Sequence, residues 1–190
     1  VPGIYTFECF TSLMNDSDSS NDSASVEIIN SNCAPNINCS FNDGFQLFQL
    51  GDIINESGCE EGGFSDFTDQ STTLGLDTTY ELTITTGYGD QHVSVWIDFN
   101  DDFTYSLDEL VVNNYIIAPG QGPGSYTETI PFNLPLDSPV GIHTLRAKAN
   151  WNAPVPDDSC EETTYGETED YTVEIVESLS INNLNIEGLM

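Results

Sequence analysis

Apolar and polar positions alternate along this chain. From Val93 to Phe99, Val93, Val95, Ile97 and Phe99 share one face of an extended strand, while Trp96 and Asp98 share the other. Leu145, Ala147 and Ala149 oppose Arg146 and Lys148 in the same way, and Tyr171, Val173 and Ile175 oppose Thr172 and Glu174. This period of two predicts strands over 45–50, 80–86, 92–99, 126–132, 142–150 and 170–177. Two more, at 4–10 and 24–29, flank a polar turn from Asn15 to Ser23. Gly and Pro punctuate the gaps, notably Pro119-Gly120-Gln121-Gly122-Pro123-Gly124. No stretch holds a helical period. The expectation is an all-β chain, an antiparallel β-sandwich of jelly-roll or immunoglobulin-like type.

The pattern divides the chain into 1–30, a hairpin; 31–44, a cysteine-containing linker; 45–177, the sandwich; and 178–190, an extended linker with no core pattern. The hairpin reads either as the end of a preceding domain or as an element packed on the sandwich. Val1-Pro2-Gly3 lacks the charged and apolar regions of a signal peptide, so the chain is expected to be a mature or excised fragment.

Charge changes the picture more than composition does. Only 2 Lys and Arg face 32 Asp and Glu, a formal net charge of −30. Nucleic acid and anionic membrane surfaces are excluded as partners, since both need basic residues. No apolar run approaches the ~18–20 residues that span a bilayer, so membrane insertion is not expected. Cations are the natural partners. The five cysteines (Cys9, Cys33, Cys39, Cys59, Cys160) show no zinc spacing. They read as two disulfides plus one thiol in a secreted chain, and spacing leaves every pairing open.

The sharpest chemical signal follows the Trp96 strand. Asp98, Asn100, Asp102, Thr104, Ser106 and Glu109 occupy positions 1, 3, 5, 7, 9 and 12 of a loop, the ligand spacing of an EF-hand Ca²⁺ site. Asp98, Asp101, Asp102, Asp108 and Glu109 would repel one another there with no basic residue to balance them. Phe103 stands where that loop uses Gly, and a bulky residue opposes the positive-φ turn needed at that point. Thr104 offers only its backbone carbonyl, and the flanks are strands rather than helices. The loop is therefore expected to hold Ca²⁺ as a staple between strands, with a geometry of its own.

Gly166-Glu167-Thr168-Glu169-Asp170, just ahead of a well-alternating strand, resembles the signature of the GEVED domain. Gly63-Phe64-Ser65-Asp66-Phe67-Thr68, Trp96-Ile97-Asp98-Phe99-Asn100 and Pro139-Val140-Gly141-Ile142-His143-Thr144-Leu145-Arg146-Ala147-Lys148 resemble three further motifs of that family, in its order. The resemblance covers about residues 39–177. It implies a non-catalytic β-sandwich module of multidomain proteins secreted by Bacteroidota or displayed on their surface. The family's usual Asp-Gly after Asn100 is absent. Gly3-Ile4-Tyr5-Thr6-Phe7 followed by Asn21-Asp22 resembles the last hairpin of a bacterial immunoglobulin-like repeat, and Leu179–Met190 resembles linkers that precede type IX secretion sorting domains.

The remaining candidates carry two readings each. Arg146 and Lys148, two apart on one strand, are expected to be structural counter-charges for a carboxylate cluster drawn from Glu167, Glu169 or Asp170. Asp66, Glu167 and Asp170 form a possible second cation site, against a turn of solvated acids. Trp151, between Asn150 and Asn152, is a possible glycan platform, against a ring that covers the end of the core. His92 and His143 receive no role. No Gly-x-Ser-x-Gly, His-Glu-x-x-His or phosphate loop is present, so no enzyme is expected. Two functions are left. One is a calcium-stabilised module for adhesion, spacing or assembly, with neighbouring domains, a glycan or another protein as partner. The other is a carbohydrate-binding module that targets an attached enzyme.

Overall fold

The computed structural model describes residues 3–10, 23–30 and 32–177. Strands β1 (Gly3–Phe10) and β2 (Ser23–Asn30) pair antiparallel from Gly3↔Asn30 to Phe10↔Ser23. The polar turn expected between them and the segment 178–190 lie outside the described residues.

Two sheets face each other across one core. The larger has the order β5-β11-β10-β7-β8, from β5 (Phe64–Gly75), β7 (Gln91–Ile97), β8 (Leu110–Ile117), β10 (Gly141–Trp151) and β11 (Gly166–Val176). The smaller has the order β4-β3-β6-β9, from β3 (Phe45–Leu50), β4 (Ile53–Asn55), β6 (Thr79–Tyr88) and β9 (Pro123–Asn133). The alternating positions do what their period requires. Val93, Val95, Ile97, Leu145, Ala147, Ala149, Tyr171, Val173 and Ile175 all face the core. There they meet Phe48, Leu82, Ile84 and Ile130 of the smaller sheet. The fold is an all-β sandwich. It is not purely antiparallel, because β5 runs parallel to β11 with a register shift between Asp170 and Thr172. The polar edge strand β5, the three-residue β4 and β8 escaped the alternation pattern. An edge strand buries only part of one face, so its period is diluted by exposed positions.

The larger sheet is covered on its outer face as well. Trp96, on the side opposite Val95, packs with Tyr105, Val155 and Leu110 in a second apolar cluster. Three irregular segments supply this outer layer: 32–44, 98–109 and 152–165. Cys33–Cys160 and Cys39–Cys59 are disulfide-bonded, and Cys9 is a free, exposed thiol. Residues 32–44, expected as a linker, are thus built into the sandwich. Ile37 and Cys39 are buried, and the Ile37 N–H donates to the Gly62 carbonyl at 2.8 Å. Gly63, at φ +64°, allows that approach: a Cβ there would lie 2.4 Å from the Ile37 oxygen.

Candidate functional site

The 98–109 loop is ordered by its own side chains. The Asp98 carboxylate, 1% exposed, accepts the N–H of Asp102 at 3.1 Å on one oxygen and that of Phe103 at 2.9 Å on the other. Asn100 Oδ1 also accepts the Asp102 N–H (2.9 Å), and Asp102 Oδ1 accepts the Thr104 N–H (2.7 Å). These are short-range turns of the kind Asx residues favour. At the far end, Glu109 Oε2 accepts from both the N–H and the hydroxyl of Ser106, each at 2.8 Å. The buried Glu109 Oε1 has no hydrogen-bond partner. Phe103 does take a positive φ (63°), as does Asp101 (56°), against the expectation that a bulky residue would resist that turn. The Asp98 carboxylate holding the Phe103 amide offsets a strain of order 1–3 kcal/mol per residue. Burial lifts the Asp98 carboxyl above its ordinary range. The amides of Phe103 and Asp102 pull it back, and the charges of Glu109 and Asp101 push it up again.

The donor set suits a hard cation, being all oxygen with one unpartnered buried carboxylate atom. A cavity of about 250 Å³ beside the loop is lined by Asn100, Asp108, Glu109, Asp137 and Ser138, among others. Among the described residues, no three His, Cys, Asp or Glu side chains converge as a metal-holding group. Both Asp98 oxygens face amides, and the Ser106 hydroxyl turns to Glu109 or Asp108.

Arg146 is the centre of the outer layer. Its guanidinium pairs with Asp170 through Nε and one terminal nitrogen, each at 2.8 Å, with both side chains fully buried. The same fork donates to the Cys33 carbonyl at 2.7 Å and lies 4.4 Å from the Tyr105 ring centroid. Opposed register positions place the ion pair: Arg146 faces Asp170 on β11 and Trp96 on β7. Lys148 behaves otherwise. Its ammonium meets no carboxylate and donates instead to the carbonyls of Ser159 (2.9 Å) and Glu161. Burial lowers its pKa to about 8.

The grouping of Asp66, Glu167 and Asp170 as a second cation site does not form. Glu167 and Asp170 are three apart on one strand and so point to opposite faces. Glu167 and Glu169 go inward with Tyr171. Glu167 Oε2 accepts the Phe45 N–H at 2.8 Å, while Glu169 accepts from the Ser57 hydroxyl and the Tyr171 phenol, both at 2.6 Å. Burial, then the charge of Glu169, pushes Glu167 up to about 9, and burial pushes Glu169 to about 7. Asp66 is exposed and caps Thr68.

The run Gly166–Asp170 thus divides by parity: two acids inward against the core, one outward against Arg146. Residues 92–174 match the family model of the GEVED domain. The matched segment holds β7, β8, β9, β10 and most of β11, and with them the 98–109 loop and the Arg146–Asp170 pair. No curated protein matches the chain. Among solved structures, the seventh ScaB type I cohesin of Pseudobacteroides cellulosolvens is similar at 8% identity, over 60% of this chain and 92% of the cohesin, with a TM-score of 0.29. The N-terminal domain of PorA is similar at 12% identity, over 68% and 96% of the two chains, with a TM-score of 0.27.

Sequence reasoning missed two buried polar residues, only the first of which lies beside the loop. His143 is buried, with Nδ1 at 3.0 Å from Asp101 Oδ1 and Nε2 at 3.1 Å from the Pro139 carbonyl, so it ties the loop to β10. Asp43 is buried far from any basic residue in sequence. Nothing in its local pattern marks it. Trp151 is half-buried and sits edge-on to Tyr88 and Tyr165, as a cavity wall and not a flat exposed platform.

Proposed function

We propose that the chain is a non-catalytic module of a secreted or cell-surface multidomain protein, a sandwich whose outer layer is stapled by Ca²⁺ at the 98–109 loop. Its work is adhesion, spacing or assembly. The observation that carries the metal is Glu109 Oε1, a buried carboxylate oxygen without a partner. It lies in a loop of five acids and no base. Asp98, Asn100, Asp102, the Thr104 carbonyl and Glu109 would hold the ion, which supplies the missing positive charge. Ser106 contributes by orienting Glu109. Two disulfides support an oxidising, extracytoplasmic setting, and the GEVED match supports a modular role.

The test is thermal unfolding of the whole chain in EGTA and in Ca²⁺. Saturation at about 100 times Kd adds roughly 2.7 kcal/mol, and extracellular modules bind with Kd ~10⁻⁴–10⁻³ M. Asp98→Ala should lower stability in EGTA, because it frees two loop amides, and should also erase the difference between EGTA and Ca²⁺. Identical melting of the unsubstituted chain in the two buffers would sink the metal reading.

A further inference from the structure

At one end of the sandwich, Phe41, Tyr88, Trp151 and Tyr165 line a cavity of about 200 Å³ together with a single carboxylate, Asp43. Four places along the chain converge there. Phe41 and Asp43 lie in the turn before β3, held by the Cys39–Cys59 disulfide, while Tyr88 ends β6, Trp151 ends β10 and Tyr165 precedes β11. Tyr165 is fixed by a bridge to Asn38 and by the Trp151 N–H, which donates to its carbonyl at 3.3 Å. Trp151 meets Tyr88 and Tyr165 edge-to-face, with centroids 5.9 and 5.7 Å apart, and Phe41 meets Tyr165 likewise at 5.9 Å. Rings so crossed frame a space instead of stacking it shut.

Asp43 is 2% exposed, and neither carboxylate oxygen has a hydrogen-bond partner. The amides of Asp43, Phe41 and Gly166 temper its charge without reaching hydrogen-bond geometry, and burial still raises its pKa. An unpaired buried carboxylate is costly. The chain has no cation to spare, since Arg146 is committed to Asp170 and Lys148 to two carbonyls.

We propose that this cavity receives the cationic head of a lysine or arginine side chain presented by a partner protein, with Asp43 as its counter-charge and the four rings as its walls. The fold already holds one guanidinium this way. Arg146 lies between Asp170 and the rings of Tyr105 and Phe64, at 4.4 and 5.6 Å. Size agrees: about 200 Å³ falls below the ~300–1,000 Å³ of small-molecule pockets and admits one side-chain head. A pyranose would bring several hydroxyls to a cavity whose only charged partner is Asp43. The net charge of −30 draws basic partners toward the surface.

The experiment is a fluorescence titration of the whole chain in Ca²⁺. Trp96 is buried on the outer face of the sheet, so ligand-dependent changes report Trp151. The probes are the N-acetyl methylamides of lysine, arginine and, as the neutral isostere, norleucine, with methyl glucoside beside them. The cationic probes should bind about tenfold more tightly than norleucine, and salt should weaken them. Asp43→Asn should lose that advantage while melting within a few degrees of the unsubstituted chain. Tyr88→Leu, on another half-exposed wall, should weaken binding too, with Trp151 left in place to report it. Equal binding of norleucine, unchanged binding in Asp43→Asn, no binding of either cation, or preferential binding of methyl glucoside would each overturn the proposal. Asp43 lies outside the 98–109 loop, so a failed chelation experiment leaves this test standing.

Discussion

Replacing Glu167 with glutamine should make the protein more stable at neutral and alkaline pH. Glu167 is fully buried, its Oε2 is held by the Phe45 amide, and its Oε1 has no partner. Burial and the nearby Glu169 raise its pKa to about 9 in the folded chain, against roughly 4.3 for a free glutamate. A raised acid pKa means that the folded chain keeps a proton which the unfolded chain gives up. The stability this confers is complete below the unfolded value and drains away as pH rises toward about 9. Each pH unit inside that window carries ~1.4 kcal/mol. Moving from about pH 5 to about pH 8 therefore removes up to ~4 kcal/mol, and about 2 kcal/mol after relaxation and water penetration. Glutamine keeps the acceptor for Phe45 and cannot ionise. Urea unfolding followed by tryptophan fluorescence across that range should show unsubstituted protein and Glu167→Gln converging near pH 5. Near pH 8 the variant should be ahead by about 2–4 kcal/mol. General charge repulsion acts in the same direction in both proteins, so the difference reports Glu167 together with its coupling to Glu169. Parallel pH profiles for the two would refute the reasoning.

Arg146→Met should cost about 3–5 kcal/mol in chemical denaturation, because it leaves Asp170 charged and buried without its partner. Adding Asp170→Leu should recover most of that loss, since replacing both members of a buried pair is often neutral. A neutral single variant would contradict the assignment. The two disulfides should differ in value. Cys33–Cys160 spans 127 residues and Cys39–Cys59 spans 20, so removal as alanine pairs should cost about 5 and about 3 kcal/mol in the chain-entropy account. Equal melting of the two double variants would argue against that account here.

The alternation of Val93–Phe99, Leu145–Ala149 and Tyr171–Ile175 was enough, by itself, to establish strands, a two-sheet core and the inward set of side chains. A pleated strand leaves no freedom in which face a residue takes. The same rule, applied to Glu167 and Asp170, already separates them by parity and excludes a shared site. The spacing of the 98–109 loop, the surplus of acid and the lone Arg–Lys pair were equally legible. Only the tertiary structure decided what covers the outer face of the larger sheet. Arg146 is buried because segments 32–44, 98–109 and 152–165 close over it, and its partner is chosen by the β10–β11 register. Those segments carry no period, so nothing local announces where they lie. Phe103 accepts a positive φ only because a carboxylate five residues earlier holds its amide. The cavity around Asp43 draws on positions 41, 43, 88, 151 and 165. No sequence window contains them together; long-range strand pairing and a disulfide bring them to one place.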